Sequence, residues 1–299
     1  MAADLDQPAA AGRMPPVLRL LRPHQWVKNV FVAAPLFFTP AKLTLASAGQ
    51  VGAGIVAFCA VSSAVYVFND LLDRDADRAH PLKRHRPLAA GTVTVPAAVA
   101  IMVLLLAGGF ALAAWLAPVF AVIVGLYLLI NVGYSLGLKR LSIVDVMAIA
   151  LGFVLRVYAG GTLVGVRPTV WIIACTMLLA LFLALAKRRD DVVKGVGDEH
   201  RQSLAGYSLR FLDTSIAIVL SALLVSYLLY TAAPENIRRY NTDQLYWTAP
   251  FVIAGILRYL QITLVEERSG SPTMVVLTDR FLLVAVTGWL AMFAWLIYG

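Results

Sequence analysis

Apolar runs close to 20 residues long recur along almost the whole chain, and no other feature narrows its fold so far. A helix needs about 20 residues to cross a bilayer core, and a run that is apolar all round has no polar face to turn to water. Spans are predicted at approximately 17–38, 51–69, 95–116, 119–136, 143–163, 169–186, 211–231, 246–265 and 281–298. The expected fold is therefore all-α, a polytopic membrane protein whose nine transmembrane helices occupy 17–299. Charged residues make up 14% of the 299, against roughly 25% in an average soluble domain, so lipid is the solvent this composition suits.

The first dozen residues, MAADLDQPAAAG, hold two aspartates, a proline and no apolar core. That is unlike a secretory signal peptide, and residues 1–16 are expected to form a short disordered cytoplasmic tail. Cys59 and Cys175 lie inside apolar runs, where they offer neither a disulfide framework nor a zinc spacing and read as packing residues. The net charge of +8 does not indicate nucleic acid, because Lys and Arg cluster at the ends of the apolar runs. With the N-terminus inside, the cytoplasmic segments carry 19 Lys and Arg, whereas the outer connections carry Lys42, Arg167, Arg238 and Arg239. This asymmetry sets the expected orientation. Two charge-dense cytoplasmic loops, 70–94 and 187–210, recur at a four-helix interval and hint at two related halves plus one extra helix.

The second span runs into AVYVFNDLLDRDADRAH with no Gly or Pro before Pro81, so the helix is expected to continue through the acidic residues. Asp70, Asp73 and Asp77 then share one face, and Asp75 points away. Three carboxylates on one face repel each other unless a cation lies among them. Oxygen-only donors favour Mg²⁺, with Asn69 as a neutral neighbour, over softer metals. A solvated helix end balanced by Arg74, Arg78 and Lys83 is the plainer alternative. The following HPLKRHRPLAAG sets Lys83, Arg84 and Arg86 between two prolines, a placement that suits a polyanion beside a metal and also satisfies topology alone.

The second loop, LAKRRDDVVKGVGDEHRQSL, presents Lys187, Arg188, Arg189, Asp190 and Asp191, then Asp198, Glu199 and Arg201. Asp190, Asp191 or Glu199 are placed to hold a second ion or sugar hydroxyls, and Lys187 to face a cavity; a solvated loop explains them equally well. Arg156 lies well inside the fifth span, where an unpaired cation costs at least a few kcal/mol and marks a candidate site. Asp145, eleven residues earlier, is about 16 Å away along the axis, so the counter-charge must come from another helix or a ligand. Tyr134 and Lys139 reach the cytoplasmic edge in NVGYSLGLKR, and LRPHQWVKN places Trp26 as an interfacial anchor with Lys28 available to a phosphate.

These motifs, NDLLDRDAD, KRHRPL and the nine spans, resemble the UbiA superfamily of membrane prenyltransferases over essentially the whole chain. The second motif departs from that of the aromatic prenyltransferases, which carry an evenly spaced aspartate set there. With LRPHQWVKN, GFVLRVYAGG and LAKRRDD it is similar instead to the actinobacterial decaprenyl-phosphate phosphoribosyltransferase branch.

The resemblance implies a UbiA-like bundle with a cytoplasm-facing central cavity in a bacterial plasma membrane, and room for a homo-oligomer. It implies Mg²⁺ as cofactor and two partners, phosphoribosyl pyrophosphate (PRPP) as donor and a polyprenyl (decaprenyl) phosphate as acceptor, on the way to cell-wall arabinan. On that expectation Asn69, Asp70, Asp73 and Asp77 hold the metal. Lys83, Arg86, Lys139 and Lys187 neutralise the donor's phosphates, while Lys28, Arg156 and Arg189 serve the acceptor, with Tyr134, Arg188, Asp190, Asp191 and Glu199 lining the substrates. An aromatic or quinone prenyltransferase taking a polyprenyl diphosphate is the runner-up. A transporter also fits an intramembrane arginine, but the acidic clusters lie at one membrane face rather than at the midplane.

Overall fold

The computed structural model describes residues 14–81, 83–195 and 202–299, and among them there are helices and turns but no strands. Eight helices are long and apolar enough to cross a bilayer: α1 (Leu45–Leu72), α2 (Val95–Leu116), α3 (Pro118–Leu136), α4 (Val144–Val164), α5 (Val170–Val193), α6 (Leu209–Ala232), α7 (Gln244–Leu264, its first turns 3-10) and α8 (Arg280–Tyr298). Their starts follow from local chemistry. Thr44, Thr94, Thr169, Ser208 and Asp279 each accept a hydrogen bond from a backbone N–H in the first turn, satisfying one of the donors that a helix leaves open. Large aliphatic side chains stay exposed along them, Leu104, Val122 and Val170 among the most open, as lipid-facing surfaces do. The chain is a multi-pass membrane protein.

The predicted span at 17–38 is not one helix. It breaks into Pro16–Leu21, an 11-residue 3-10 segment Pro23–Ala33 and a last turn Ala34–Phe37. Pro23 and Pro35 remove backbone donors, and Arg22 turns into the left-handed region at φ 53. Polar side chains of α1 take over: Trp26 Nε1 donates to Ser63 Oγ at 3.0 Å, and Asn29 Nδ2 to Ser62 Oγ at 3.3 Å.

The described residues fall into two compact units. The first runs to Gly137 and includes Gly152–Pro168; the second comprises Leu138–Leu151 and Thr169–Gly299, so α4 contributes its start to the second and its remainder to the first. In the first, α1 packs along α2 and the 3-10 segment around Phe58, Val61, Phe120, Tyr127 and Ala159. Small residues set the approach: Gly109 lies against Val61, and a Cβ at Gly160 would run into the Val32 carbonyl. In the second, α5 packs along α6, and α7 along α8, over Phe182, Leu212, Ile216, Tyr259 and Ile262.

Candidate active site

The helical repeat carries α1 into its acidic end with one interruption. Asp73, at φ −89 and ψ 3, closes α1 and opens the short helix Arg74–Ala79. Its N–H still reaches the Asn69 carbonyl at 2.9 Å, and the Asp77 N–H reaches the Asp73 carbonyl at 2.8 Å. Asp70 and Asp77, seven residues apart, therefore keep a common side, joined through Arg86. Asp70 and Asp77 are buried, whereas Asp75 is 76% exposed and pairs, among the described residues, with Arg74 and Arg78.

Two arginines enter this face. Arg86 Nη1 donates to Asp77 Oδ2 at 2.8 Å and also reaches Asp70 Oδ1 at 3.5 Å. Arg22 Nη2 donates to the same Asp70 oxygen at 2.6 Å. Arg19 Nη2 donates to the His85 carbonyl at 3.0 Å, tying the N-terminal segment to the basic turn Lys83–His85. Among the described residues no three His, Cys, Asp or Glu side chains converge as a closed metal cage. The donor set nevertheless fits Mg²⁺, which takes one or two protein carboxylates and completes its shell with phosphate and water oxygens. Asn69 Oδ1 is buried without a hydrogen-bond partner, a neutral oxygen left over on the same turn.

Arg156 is 5% exposed and held by neutral groups. Its Nε donates to Asn29 Oδ1 at 2.8 Å, Nη1 to the Gly152 carbonyl at 2.8 Å and Nη2 to Tyr127 Oη at 3.0 Å. The guanidinium also lies 4.7 Å from the Tyr127 ring centroid. No carboxylate among the described residues pairs with it.

In the second unit α5 does not stop at 186 but continues to Val193, so Lys187–Asp191 are helical. Arg188, 2% exposed, donates from Nε to Asp145 Oδ2 at 2.6 Å and from Nη1 to Asp191 Oδ2 at 2.9 Å. Arg189 donates to Asp213 Oδ1 at 2.7 Å and to the Thr263 carbonyl at 2.9 Å. Asp190 accepts from Lys194 Nζ at 2.7 Å, and its other oxygen is buried without a partner. The segment after α7 packs on this end: Ser269 Oγ donates to the Ala186 carbonyl, and Gly270 comes so close to Asp190 that a Cβ there would overlap the carboxylate.

Tyr207 completes the set. Its hydroxyl donates to Asp145 Oδ1 at 2.7 Å and accepts the Ile143 N–H at 2.6 Å. Burial, followed by its bond to the Asp145 carboxylate, pushes this phenol well above its usual range.

Of the residues singled out in the sequence, Asp70, Asp77 and Arg86 come together on one face, with Asn69 and Asp73 in the turns that carry the two aspartates. Lys28, Lys83, Tyr134, Lys139 and Lys187 are half-buried, and Glu199 lies outside the described residues. Arg22, Asn29, Tyr127, Asp145 and Tyr207 escaped that reading. A lone arginine before a proline, or a tyrosine within an apolar run, carries no spacing that announces a partner.

The sequence model of the UbiA prenyltransferase family matches residues 26–276. A decaprenyl-phosphate phosphoribosyltransferase of Corynebacterium glutamicum is 33% identical over 91% of this chain and 84% of that protein. One from Mycobacterium tuberculosis is 31% identical over 97% of each. Among solved structures, a UbiA homologue from Archaeoglobus fulgidus bound to GPP and Mg²⁺ superposes with a TM-score of 0.70 at 23% identity, covering 95% of this chain and 100% of that one.

Proposed function

The chain belongs to the UbiA prenyltransferase family and is a membrane transferase, and from that premise we propose that it moves 5-phosphoribosyl from PRPP to a polyprenyl phosphate such as decaprenyl phosphate, with Mg²⁺. The observation that carries this reading is the buried face on which Asp70 and Asp77 share Arg86, preceded in the chain by Asn69 with its unpartnered buried oxygen. It is supported by relatives of about that identity named for the same transfer. The proposed setting is a bacterial plasma membrane, with this face toward the cytoplasm.

Asn69, Asp70, Asp73 and Asp77 would hold Mg²⁺, which when bound supplies positive charge to the leaving pyrophosphate. Lys83 and Arg86 add fixed positive charge where negative charge grows on that group, which is how such a site lowers a barrier. An oxygen of the lipid phosphate attacks C1 of the ribose from the face opposite the leaving group. The new C1–O bond forms as the bond to pyrophosphate breaks, and the configuration inverts. No general base is needed, since the nucleophile is already an anion.

Lys28 and Arg156 are assigned to the acceptor phosphate. Arg156 suits the role because its partners within the protein are all neutral, which leaves its charge available to an anion. Lys139, Lys187 and Arg189 are assigned to the phosphate groups, Arg188 to holding the end of α5, and Tyr134, Asp190, Asp191 and Glu199 to the substrates around them. The test is transfer of labelled phosphoribosyl from PRPP to decaprenyl phosphate in detergent, with and without Mg²⁺, comparing wild type with Asp73→Ala. Magnesium-dependent product that the variant loses is the expected result. Absence of transfer, with prenylation of an aromatic ring from a polyprenyl diphosphate instead, selects the aromatic prenyltransferase reading.

A further inference from the structure

Arg22 leaves the short helix Pro16–Leu21 at φ 53 and ψ 60. A side chain other than glycine keeps such a backbone only where its surroundings impose it, and residues of this kind gather at functional sites. Here the surroundings are specific. Ser63 Oγ donates to the Leu21 carbonyl at 2.9 Å, the Arg22 guanidinium lies 5.0 Å from the centroid of the Tyr66 ring, and Pro23 follows directly. The turn thereby delivers Nη2 to Asp70 at 2.6 Å. Asp70 is 2% exposed and Arg22 is 22% exposed, so the carboxylate is enclosed while part of the arginine stays accessible.

The charges on this face decide what it can accept. In these ion pairs Asp70 and Asp77 are set against Arg22 and Arg86 and their charges cancel, which leaves too little negative charge to hold a bare divalent ion strongly beside two guanidiniums. Such an ion must also take Asp70 from a buried, charge-assisted bond. A cation already carrying a diphosphate brings its own negative charge and offers Arg22 phosphate oxygens, which suit the planar guanidinium fork.

We propose that Arg22 makes the acidic face selective for a divalent cation that arrives together with its diphosphate: the guanidinium withholds Asp70 from the bare ion and passes to the diphosphate oxygens when the pair binds. This rests on the reading that the face handles a metal and a diphosphate. Arg22 is then a binding residue for the donor and a competitor of the metal, two roles that act in opposite directions on two measurable affinities.

Full-length protein in detergent is titrated with Mn²⁺ alone, followed by the electron paramagnetic resonance signal of the unbound ion, and separately with labelled pyrophosphate at saturating Mn²⁺. Arg22→Gln is expected to bind bare Mn²⁺ about tenfold more tightly and pyrophosphate about tenfold more weakly, the scale of one charge-assisted contact. Arg22→Lys, which keeps the charge but not the fork, is expected to shift both in the same senses by less, and it carries the test if the glutamine variant fails to fold. Unchanged Mn²⁺ binding, or both affinities falling together, overturns the competition while leaving the metal–diphosphate reading intact. Wild-type protein that retains neither probe overturns that reading itself.

Discussion

Arg188 and Asp145, on α5 and at the start of α4, meet Nε to Oδ2 at 2.6 Å with side chains 2% and 0% exposed. Removing one partner of a buried pair strands a charge and costs about 3–5 kcal/mol, whereas replacing both with apolar side chains of similar volume is often nearly neutral. Asp145→Ala is expected to lower the melting midpoint in detergent far more than the double variant Asp145→Leu, Arg188→Met. Equal losses would show that the pair contributes through its shape and not its charge.

Tyr207 bonds both Asp145 and the Ile143 N–H, and Ile143 is a β-branched residue at φ 71, where such a side chain is a conformational outlier. Tyr207→Phe is expected to cost about 1–3 kcal/mol by leaving the Ile143 N–H without this acceptor and taking one of its bonds from Asp145, which keeps Arg188 and the Val146 N–H. Because the folded-state pKa is raised, this phenol's contribution is fully present below the unfolded value of about 10 and is lost as pH rises beyond it. Melting midpoints measured from pH 8 to 11 should therefore fall less steeply above pH 10 in Tyr207→Phe than in wild type.

Gly160 of α4 lies against the carbonyl of Val32, the neighbourhood that also aligns Asn29 with Arg156. Gly160→Ala pushes on backbone that has no flexible end to move, and overpacking of this kind costs about 1–3 kcal/mol. The expected outcome is a lower melting midpoint together with reduced phosphoribosyl transfer. Gly108→Ala, where an added Cβ meets nothing within 4 Å, is the matched control and should change neither.

Asp75 and Asp77 are two residues apart and differ in fate. Asp77 is buried on Arg86, while Asp75 is 76% exposed beside Arg74 and Arg78. Asp77→Asn is expected to reduce transfer by about 10²–10³, the usual loss for one well-placed electrostatic group. Asp75→Asn should stay close to wild type, since exposed pairs contribute about 0–1 kcal/mol. Initial rates at saturating substrates compare the two directly, and similar losses would remove the assigned face.

The acidic face was legible because its members are neighbours along one helix, where spacing alone fixes direction. Of the three aspartates expected on a common side, Asp70 and Asp77 needed no tertiary contact to be placed there, and the break at Asp73 did not part them. The segment 17–38 reads as one helix from its apolar ends, although Arg19, Arg22, His24 and Lys28 interrupt it. Pro23, Pro35 and the left-handed Arg22 divide it, and Ser63 of α1 ties the pieces down by donating to the Leu21 carbonyl and accepting from Trp26 Nε1. Lys187–Asp191 read as the end of a helix running into a charged loop, and α5 continues through them to Val193, where Asp145, Asp213 and Lys194 pair their charges within the folded unit.

Membrane class, the long apolar helices from α1 to α8 and the common side of Asp70 and Asp77 follow from residues within a few turns of each other. Partners do not, and they come from the folded chain. Asn29 reaches Arg156 across 127 residues of chain, Arg22 reaches Asp70 across 48, and Arg188 reaches Asp145 across 43. Helices that are apolar all round carry no stripe to say which face packs inward, so in such a chain the choice of neighbour rests on small residues at close approaches and on the few polar groups that must find one another away from water.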